Sequence, residues 1–148
     1  MSSYRKILYH IIFRPKMSER VLTIEYTSRL YEYISGIIKN KKCYLYQING
    51  TEDHIHLLSD LHPSLALADY IREIKTSSSI WLKSQSTFPK FKGWADGYAA
   101  VTCSYSERSR LIEYIKNQRE HHKKVSFEEE YRAILNEYGI KIDERYFP

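Results

Sequence analysis

The sequence predicts an α+β fold: a ferredoxin-like β-α-β-β-α-β order with one antiparallel four-stranded sheet, two helices on one of its faces, and two C-terminal helices. Three observations lead there. Segments with strand-like and helix-like apolar spacing follow one another in that order. The 148 residues suffice for one domain of ordinary size, and no Pro/Gly/Ser linker, repeat or low-complexity run divides them. The composition, 43% hydrophobic and 28% charged, is that of globular proteins and excludes a disordered tail or a fibrous repeat.

Residues 4–14 have the β-branched and aromatic content of a strand, with Ile7, Tyr9, Ile11 and Phe13 on one side and Leu8, His10 and Ile12 on the other. Residues 24–40 read as a helix striped by Leu30, Ile34, Ile37 and Ile38, and Lys39 to Lys42 closes it with charge that suits a helix C-terminus. Residues 43–48 form a second strand, Asn49 to Asp53 a turn, and residues 54–59 a third strand. A long helix opens at Pro63-Ser64 and runs to about Ser84, with Leu67, Ile71, Ile74 and Leu82 near one stripe. Residues 85–97 are an irregular loop and residues 98–103 a fourth strand. Ser104 to Glu107 fits a capping box for a helix that reaches about Lys123. Ser126 to Glu129 fits a second, for a helix ending near Tyr138 with Gly139 as its C-cap residue. The domain expected is residues 1–148, with a core of about 4–124 and the C-terminal helix at about 126–139.

Charge is spread unevenly. Residues 1–42 carry a net +6 and residues 69–124 a net +5, whereas residues 43–68, which hold His54 and His56, and residues 125–148 each carry −3. Clustered Lys and Arg with an overall +5 point to a polyanionic partner, or to a solvated basic surface. Cys43 and Cys103 make no disulfide framework or zinc cluster and read as buried thiols of a reducing cytoplasm. No apolar run is long enough to span a membrane, and the segment from Met1 to Phe13 lacks a cleavage site and is interrupted by His10, so no signal peptide is expected.

The strongest local feature is Asp53-His54-Ile55-His56-Leu57-Leu58. On a strand, His54 and His56 point the same way, about 6–7 Å apart, while Ile55 and Leu57 point into the core. Paired imidazoles can hold one cation; the alternative is two histidines on an exposed sheet face. Downstream, Tyr114 and Gln118 share one helical face, amid Arg110, Lys116, Arg119, Lys123 and Lys124. Gln118 offers a hard oxygen donor for Mg²⁺ or Mn²⁺. Tyr114 offers a phenol, a competent nucleophile on a phosphodiester whose charge a cation neutralises.

Four stretches, in this order, give the chain a specific resemblance: Asp53 to Leu58, Ile74 to Ser79, Trp94-Ala95-Asp96-Gly97-Tyr98, and Tyr114 to His122. With Tyr9 to Phe13, they resemble the HUH-type single-tyrosine transposases of single-strand insertion sequences and repeat-associated elements, across most of the chain. Ala95 and Ala99 depart from the bulkier or more polar residues of many relatives. The resemblance implies that residues 1–148 form a transposase catalytic domain, that His54, His56 and Gln118 hold a divalent metal, and that Tyr114 is the nucleophile. It implies single-stranded DNA, often with a hairpin, as substrate, and a homodimer whose active sites are shared between protomers. Arg72, Lys75, Lys83, Lys90, Lys92, Arg119 and Lys123 are the candidates to track phosphates; Trp94 and Tyr98 either stack on a base or pack the loop. His121-His122 reads as a helix-end cation site or a DNA contact. The competing readings are a non-catalytic RNA-binding module of the same fold, which would use aromatics on an open sheet face, and a rolling-circle-type HUH nuclease.

Overall fold

The computed structural model describes residues 3–148; Met1 and Ser2, where the N-terminal segment read as no signal peptide begins, lie outside the described residues. Four strands, β1 (Leu8–Phe13), β2 (Leu45–Thr51), β3 (His54–Asp60) and β4 (Ala99–Cys103), form one antiparallel sheet in the order β2-β3-β1-β4. The helices are α1 (Thr27–Asn40), α2 (Leu67–Ser84), α3 (Arg108–Lys116), α4 (Gln118–His121) and α5 (Phe127–Glu137). This is the α+β, ferredoxin-like arrangement expected.

The period of two along the strands divides the sheet. Ile11 and Phe13 of β1 and Ile55 and Leu57 of β3 face Leu30, Ile34 and Ile38 of α1 and Tyr70, Ile71, Ile74 and Leu82 of α2 in the main core. The opposite face, left open in the sequence reading, is also covered. Leu8 and Leu58 pack against Leu111 and Ile115 of α3, and Ile12 and Ala99 pack against Phe127 and Leu135 of α5. His54 and His56 are fully buried on this face, which excludes the alternative of two surface histidines.

Strands β1 and β2 start later than expected, at Leu8 and Leu45, and α1 starts at Thr27 after a 3-10 turn over Ile24–Tyr26; three further boundaries also shift. The turn predicted at Asn49 to Asp53 narrows to Glu52-Asp53, because Asn49, Gly50 and Thr51 continue β2 opposite His56, Ile55 and His54. Gly50 is needed there as strand, not turn: a Cβ at this position would run into the His54 carbonyl oxygen. The helix predicted from Pro63 begins only at Leu67, with Ala66 as its extended N-cap. The helix predicted to run unbroken to Lys123 stops at Lys116 and restarts at Gln118. The Asn49 side-chain amide donates to the carbonyls of Ile115 and Lys116 at 3.1 and 3.0 Å, satisfying the end of α3 from a neighbouring strand.

Both predicted capping boxes form. The Glu107 carboxylate accepts from the Ser104 N–H, and the Ser126 hydroxyl accepts from the Glu129 N–H at 3.1 Å. Gly139 takes φ +69° just beyond α5, where the left-handed conformation closes the helix. Cys43 is buried as expected, but Cys103 at the sheet edge is only half-buried; both are free. No helix among the described residues is long and apolar enough to cross a membrane.

Candidate active site

Strand β3 delivers His54 and His56 to the α3–α5 side of the sheet, and the break after α3 turns Gln118 toward them. Gln118 Oε1 lies 2.9 Å from His54 Nε2 and 3.0 Å from His122 Nε2. Tyr114 stands one helical turn before Gln118, its ring 5.9 Å from that of His56. The four residues implied by the resemblance are therefore brought together, and within one chain. The resemblance implied sites shared between protomers; within this one chain the Tyr114 hydroxyl donates to Glu130.

At the centre sits a residue the sequence reading missed. Glu130 of α5 is 3% exposed. Its Oε1 lies 3.0 Å from His56 Nε2 and 2.9 Å from His122 Nε2, and its Oε2 accepts from Gln118 Nε2 at 2.8 Å and from the Tyr114 hydroxyl. Donor atoms of His54, His56, His122 and Glu130 all lie within 4.8 Å of one another. The signals for these additions were present. Tyr114, Gln118 and His122 repeat at intervals of four, and Glu130 occupies a place in the apolar stripe Phe127, Tyr131, Ile134, Leu135.

The surroundings suit a divalent cation. Asp53 Oδ1 lies 2.7 Å from His54 Nδ1, which fixes the ring and leaves Nε2 facing the site. His10 Nε2 lies 2.8 Å from His56 Nδ1 and orients that ring in the same way. Phe127 stacks on the His54 ring at 4.1 Å and 12°. Among the described residues no Lys or Arg pairs with Glu130, so its buried charge is met by imidazoles, an amide and a phenol alone. Three imidazole nitrogens, a carboxylate and an amide oxygen around one point form a donor set of the kind that transition and hard divalent ions take.

The electrostatics follow from burial and these bonds. Burial alone would lower the His54 imidazole, but hydrogen bonds with Asp53, Glu130 and Gln118 outweigh it and raise its pKa to about 9. Burial dominates at His56 and His10, which fall to about 4 and about 3. Burial would raise Glu130; its bonds with His122, His54 and His56 hold it far below the usual carboxylate range instead. Burial, then the Glu130 charge, pushes the Tyr114 phenol well up. With Glu130 in place, Tyr114 is held as a neutral hydroxyl.

The basic candidates divide. Arg119 and Lys123 line a cavity of about 350 Å³ that abuts Asp53 and His122; Arg119 also donates to Thr27 and Lys123 to Glu120. Lys92 and Lys83 line two other cavities, and Lys16 lines both of them. Lys75 gives two of its three N–H donors to the carbonyls of Ala95 and Gly97 at 2.7 and 3.0 Å. Arg72 pairs with Asp69 on the exposed side of α2. Trp94 is buried, edge-on to Phe13 and donating to Ser78, so it packs the loop rather than presenting a stacking surface; Tyr98 is exposed.

Comparison with known proteins meets this geometry. Over 120 residues the chain is 27% identical to the transposase for insertion sequence element IS200 of Salmonella typhimurium, covering 78% of each. It is 25% identical to the ISDra2 transposase TnpA of Deinococcus radiodurans over 117 residues, 74% of this chain and 82% of that one. A transposase crystal structure from Deinococcus radiodurans R1 superposes with a TM-score of 0.58 at 25% identity, covering 80% of this chain and 95% of the other. A REP-associated tyrosine transposase bound to a REP hairpin shares the fold, with a TM-score of 0.60 at 16% identity over 84% of this chain and 76% of that one. The profile of the family described as "Transposase IS200 like" matches residues 3–118, from the segment before β1 through Tyr114 to Gln118. With that span covering most of the fold and every residue of the His54–His56–Tyr114–Gln118 constellation, the chain belongs to the IS200-like transposase family.

Proposed function

We propose that this transposase cleaves and rejoins single-stranded DNA through a 5′-phosphotyrosine link on Tyr114, with a divalent cation held by His54, His56 and Gln118. The observation that supports the reading is the convergence of Tyr114 and the imidazole–amide set on one buried carboxylate. Mg²⁺ or Mn²⁺ suits Gln118, and His122 adds a donor. When bound, the ion supplies Lewis-acid polarisation and charge neutralisation at the scissile phosphate. The Tyr114 oxygen attacks phosphorus, the bond to the upstream 3′-oxygen breaks, and that strand leaves with a 3′-OH. A second 3′-OH then attacks the phosphotyrosine and restores the phenol, so phosphodiester energy is conserved. Asp53 and His10 keep the two imidazoles aimed throughout.

Arg119 and Lys123, beside the site, are the cations best placed to hold the DNA backbone, with Lys83, Lys92 and Arg72 as more distant contacts. Residues 1–148 act as one catalytic domain, in the cytoplasm and on the nucleoid when DNA is bound. The hairpin bound by the REP-associated relative makes a hairpin next to the cleavage site a fitting substrate feature. A non-catalytic RNA-binding module needs an open sheet face; here helices cover both.

The test is a labelled single-stranded oligonucleotide from the genomic flanks, incubated with the protein and Mg²⁺ or Mn²⁺. An SDS-resistant adduct is expected, lost in Tyr114→Phe while DNA binding survives. An adduct retained in that variant moves the nucleophile elsewhere; binding with no adduct under any metal leaves only a binding module. The resemblance also supports a homodimer with shared sites. Mixing Tyr114→Phe with His56→Ala protein tests it: an adduct in the mixture requires sites built from two chains, and none assigns each site to a single chain.

A further inference from the structure

One end of the sheet gathers tyrosines and cations that the site does not use. Leu8, the first residue of β1, pairs with Asp60 at the end of β3 and with Cys103 at the end of β4. Tyr44, just before β2, is tied to the same place: its N–H donates to the Asp60 carboxylate at 2.6 Å, and its carbonyl accepts from the Asp60 N–H at 3.0 Å. Asp60 lies four residues along β3 from His56, about 13 Å away. Here the Tyr44 and Tyr46 rings meet edge-on at 4.7 Å. Lys6 Nζ lies 5.5 Å from the centre of the Tyr105 ring, and Arg108 Cζ lies over it at 3.7 Å. The Tyr46 phenol stands near Lys6, Asp60 and Tyr105 as well as Tyr44, so the groups form one patch. Tyr44 is 61% exposed and Tyr105 45%. Glu107 is taken by Arg110, and among the described residues no carboxylate pairs with Lys6 or Arg108. Tyr46 packs on the cluster of Leu8, Leu58, Leu111 and Ile115 that also supports Tyr114, which puts the patch on the nucleophile's side of the sheet. Rings left in water offer their faces to flat apolar groups, and cations without carboxylate partners offer charge to phosphates. Interleaved in this way, they fit a single strand of nucleic acid. A duplex keeps the faces of its bases inside its own stack, so the patch selects unpaired ones.

We propose that Tyr44, Tyr46 and Tyr105, with Lys6 and Arg108, are a stacking platform for unpaired bases of the single-stranded DNA that is cut at Tyr114. The identity of the strand rests on the transposase reading. Bases stack on Tyr44 and on the Arg108–Tyr105 pair, and Lys6 and Arg108 meet the phosphates between them. The platform holds the strand on the face that carries Tyr114 and takes no part in the chemistry.

The experiment uses the full chain in EDTA and two fluorescein-labelled probes of equal length: oligothymidine, and an abasic strand that keeps the phosphates and has no bases to stack. Tyr44→Ala and Tyr105→Ala are each expected to bind oligothymidine about tenfold more weakly than the unaltered protein and the abasic strand equally well. Tyr44→Phe and Tyr105→Phe, which keep the rings, are expected to bind both probes as the unaltered protein does. Lys6→Ala is expected to weaken both probes and to lower the salt dependence by roughly one phosphate contact. Thermal melts establish that each variant is folded. Folded alanine variants that bind oligothymidine unchanged overturn the proposal, as do variants that lose both probes alike, or probes that no form binds. Oligouridine bound more tightly than oligothymidine would assign the patch to RNA, and a change of oligomeric state in the alanine variants, read by sedimentation, would assign it to a second copy of the chain; either overturns the proposal. Adduct formation with Mg²⁺ or Mn²⁺ is scored separately. Base-dependent binding through the tyrosines without any adduct would sink the cleavage reading and leave the platform standing. Adducts together with binding indifferent to the tyrosines would do the reverse.

Discussion

The two faces of the sheet are built from alternating residues of the same strands, and they solve burial in opposite ways. On the α1–α2 side, Ile55 and Leu57 are buried among aliphatic and aromatic side chains, and apolar area removed from water stabilises them. On the α3–α5 side, His54 and His56 are buried just as completely, and only reciprocal hydrogen bonds through Glu130, Gln118, Asp53 and His10 make that tolerable. The comparison teaches that stability and chemistry here are separated by one residue along β3. The apolar face is indifferent to pH and ions, whereas the polar face is sensitive to both.

The sharpest way to break this division is to alter neighbours. His56→Ala is expected to lower adduct formation on the order of a thousandfold, because under the proposed function it removes one of the groups that would hold the ion. Leu57→Ala is expected to cost about 2–5 kcal/mol in denaturant unfolding while the folded fraction still forms adduct. If Leu57→Ala abolished chemistry in folded protein, or His56→Ala left it intact, the two faces would not be independent.

The pH dependence of the metal-free protein, measured in EDTA, probes the polar face alone. His54, raised to about 9, contributes stability that is complete below 6.5 and lost as pH rises toward 9. His56 and His10, lowered to about 4 and about 3, are neutral in the fold. The unfolded chain binds protons at both once pH falls below 6.5, so stability drops through that acid range. The contribution of Glu130, complete above its ordinary value of 4.5, is lost as pH falls below that. Stability is therefore expected to peak near pH 6.5 and to fall on both sides. One proton changes it by at most about 1.4 kcal/mol per pH unit, so the acid limb is the steeper. His10→Asn is expected to make that limb shallower by one proton. A flat profile of denaturation midpoints between pH 5 and 8 would show that these groups do not titrate with folding.

What was legible in the sequence follows the same division. The alternation around Ile55 and Leu57 announced the apolar face, and two capping boxes announced the starts of the later helices, because those signals are local. The convergence on Glu130 was not read, although a glutamate within an apolar helical stripe, like His10 between Leu8 and Ile12, marks a polar group headed for burial. Asn49-Gly50 reads as a turn pair, yet the close approach of the His54 carbonyl requires that glycine inside a strand. Lys75 reads as a phosphate contact, and two of its three N–H donors go to the Ala95 and Gly97 carbonyls. The Glu130 and Lys75 contacts depend on partners distant in the chain, and the Gly50 approach depends on the pairing of two strands across a tight turn.

The smallest expected effect concerns the one side chain that joins strand to helix across this boundary. Asn49 stands on β2, and its amide ends α3 by holding the carbonyls of Ile115 and Lys116. Residues 108–123 have helical character throughout, and without that amide the i→i−4 ladder would continue through Asn117. Gln118 would then rotate away from His54 while Tyr114, a turn earlier, stayed near its place. Asn49→Ala is therefore expected to cost only about 1 kcal/mol of stability, yet to weaken Mn²⁺ binding, measured by calorimetry, by roughly 10–100-fold, the range found when an orienting partner of a metal ligand is lost. Asn49→Ser, too short to span both carbonyls, should behave as the alanine does. If Mn²⁺ affinity were unchanged in either variant, Gln118 would be positioned by His54, Glu130 and His122, and the break in the helix would be a consequence of the site rather than a cause of it.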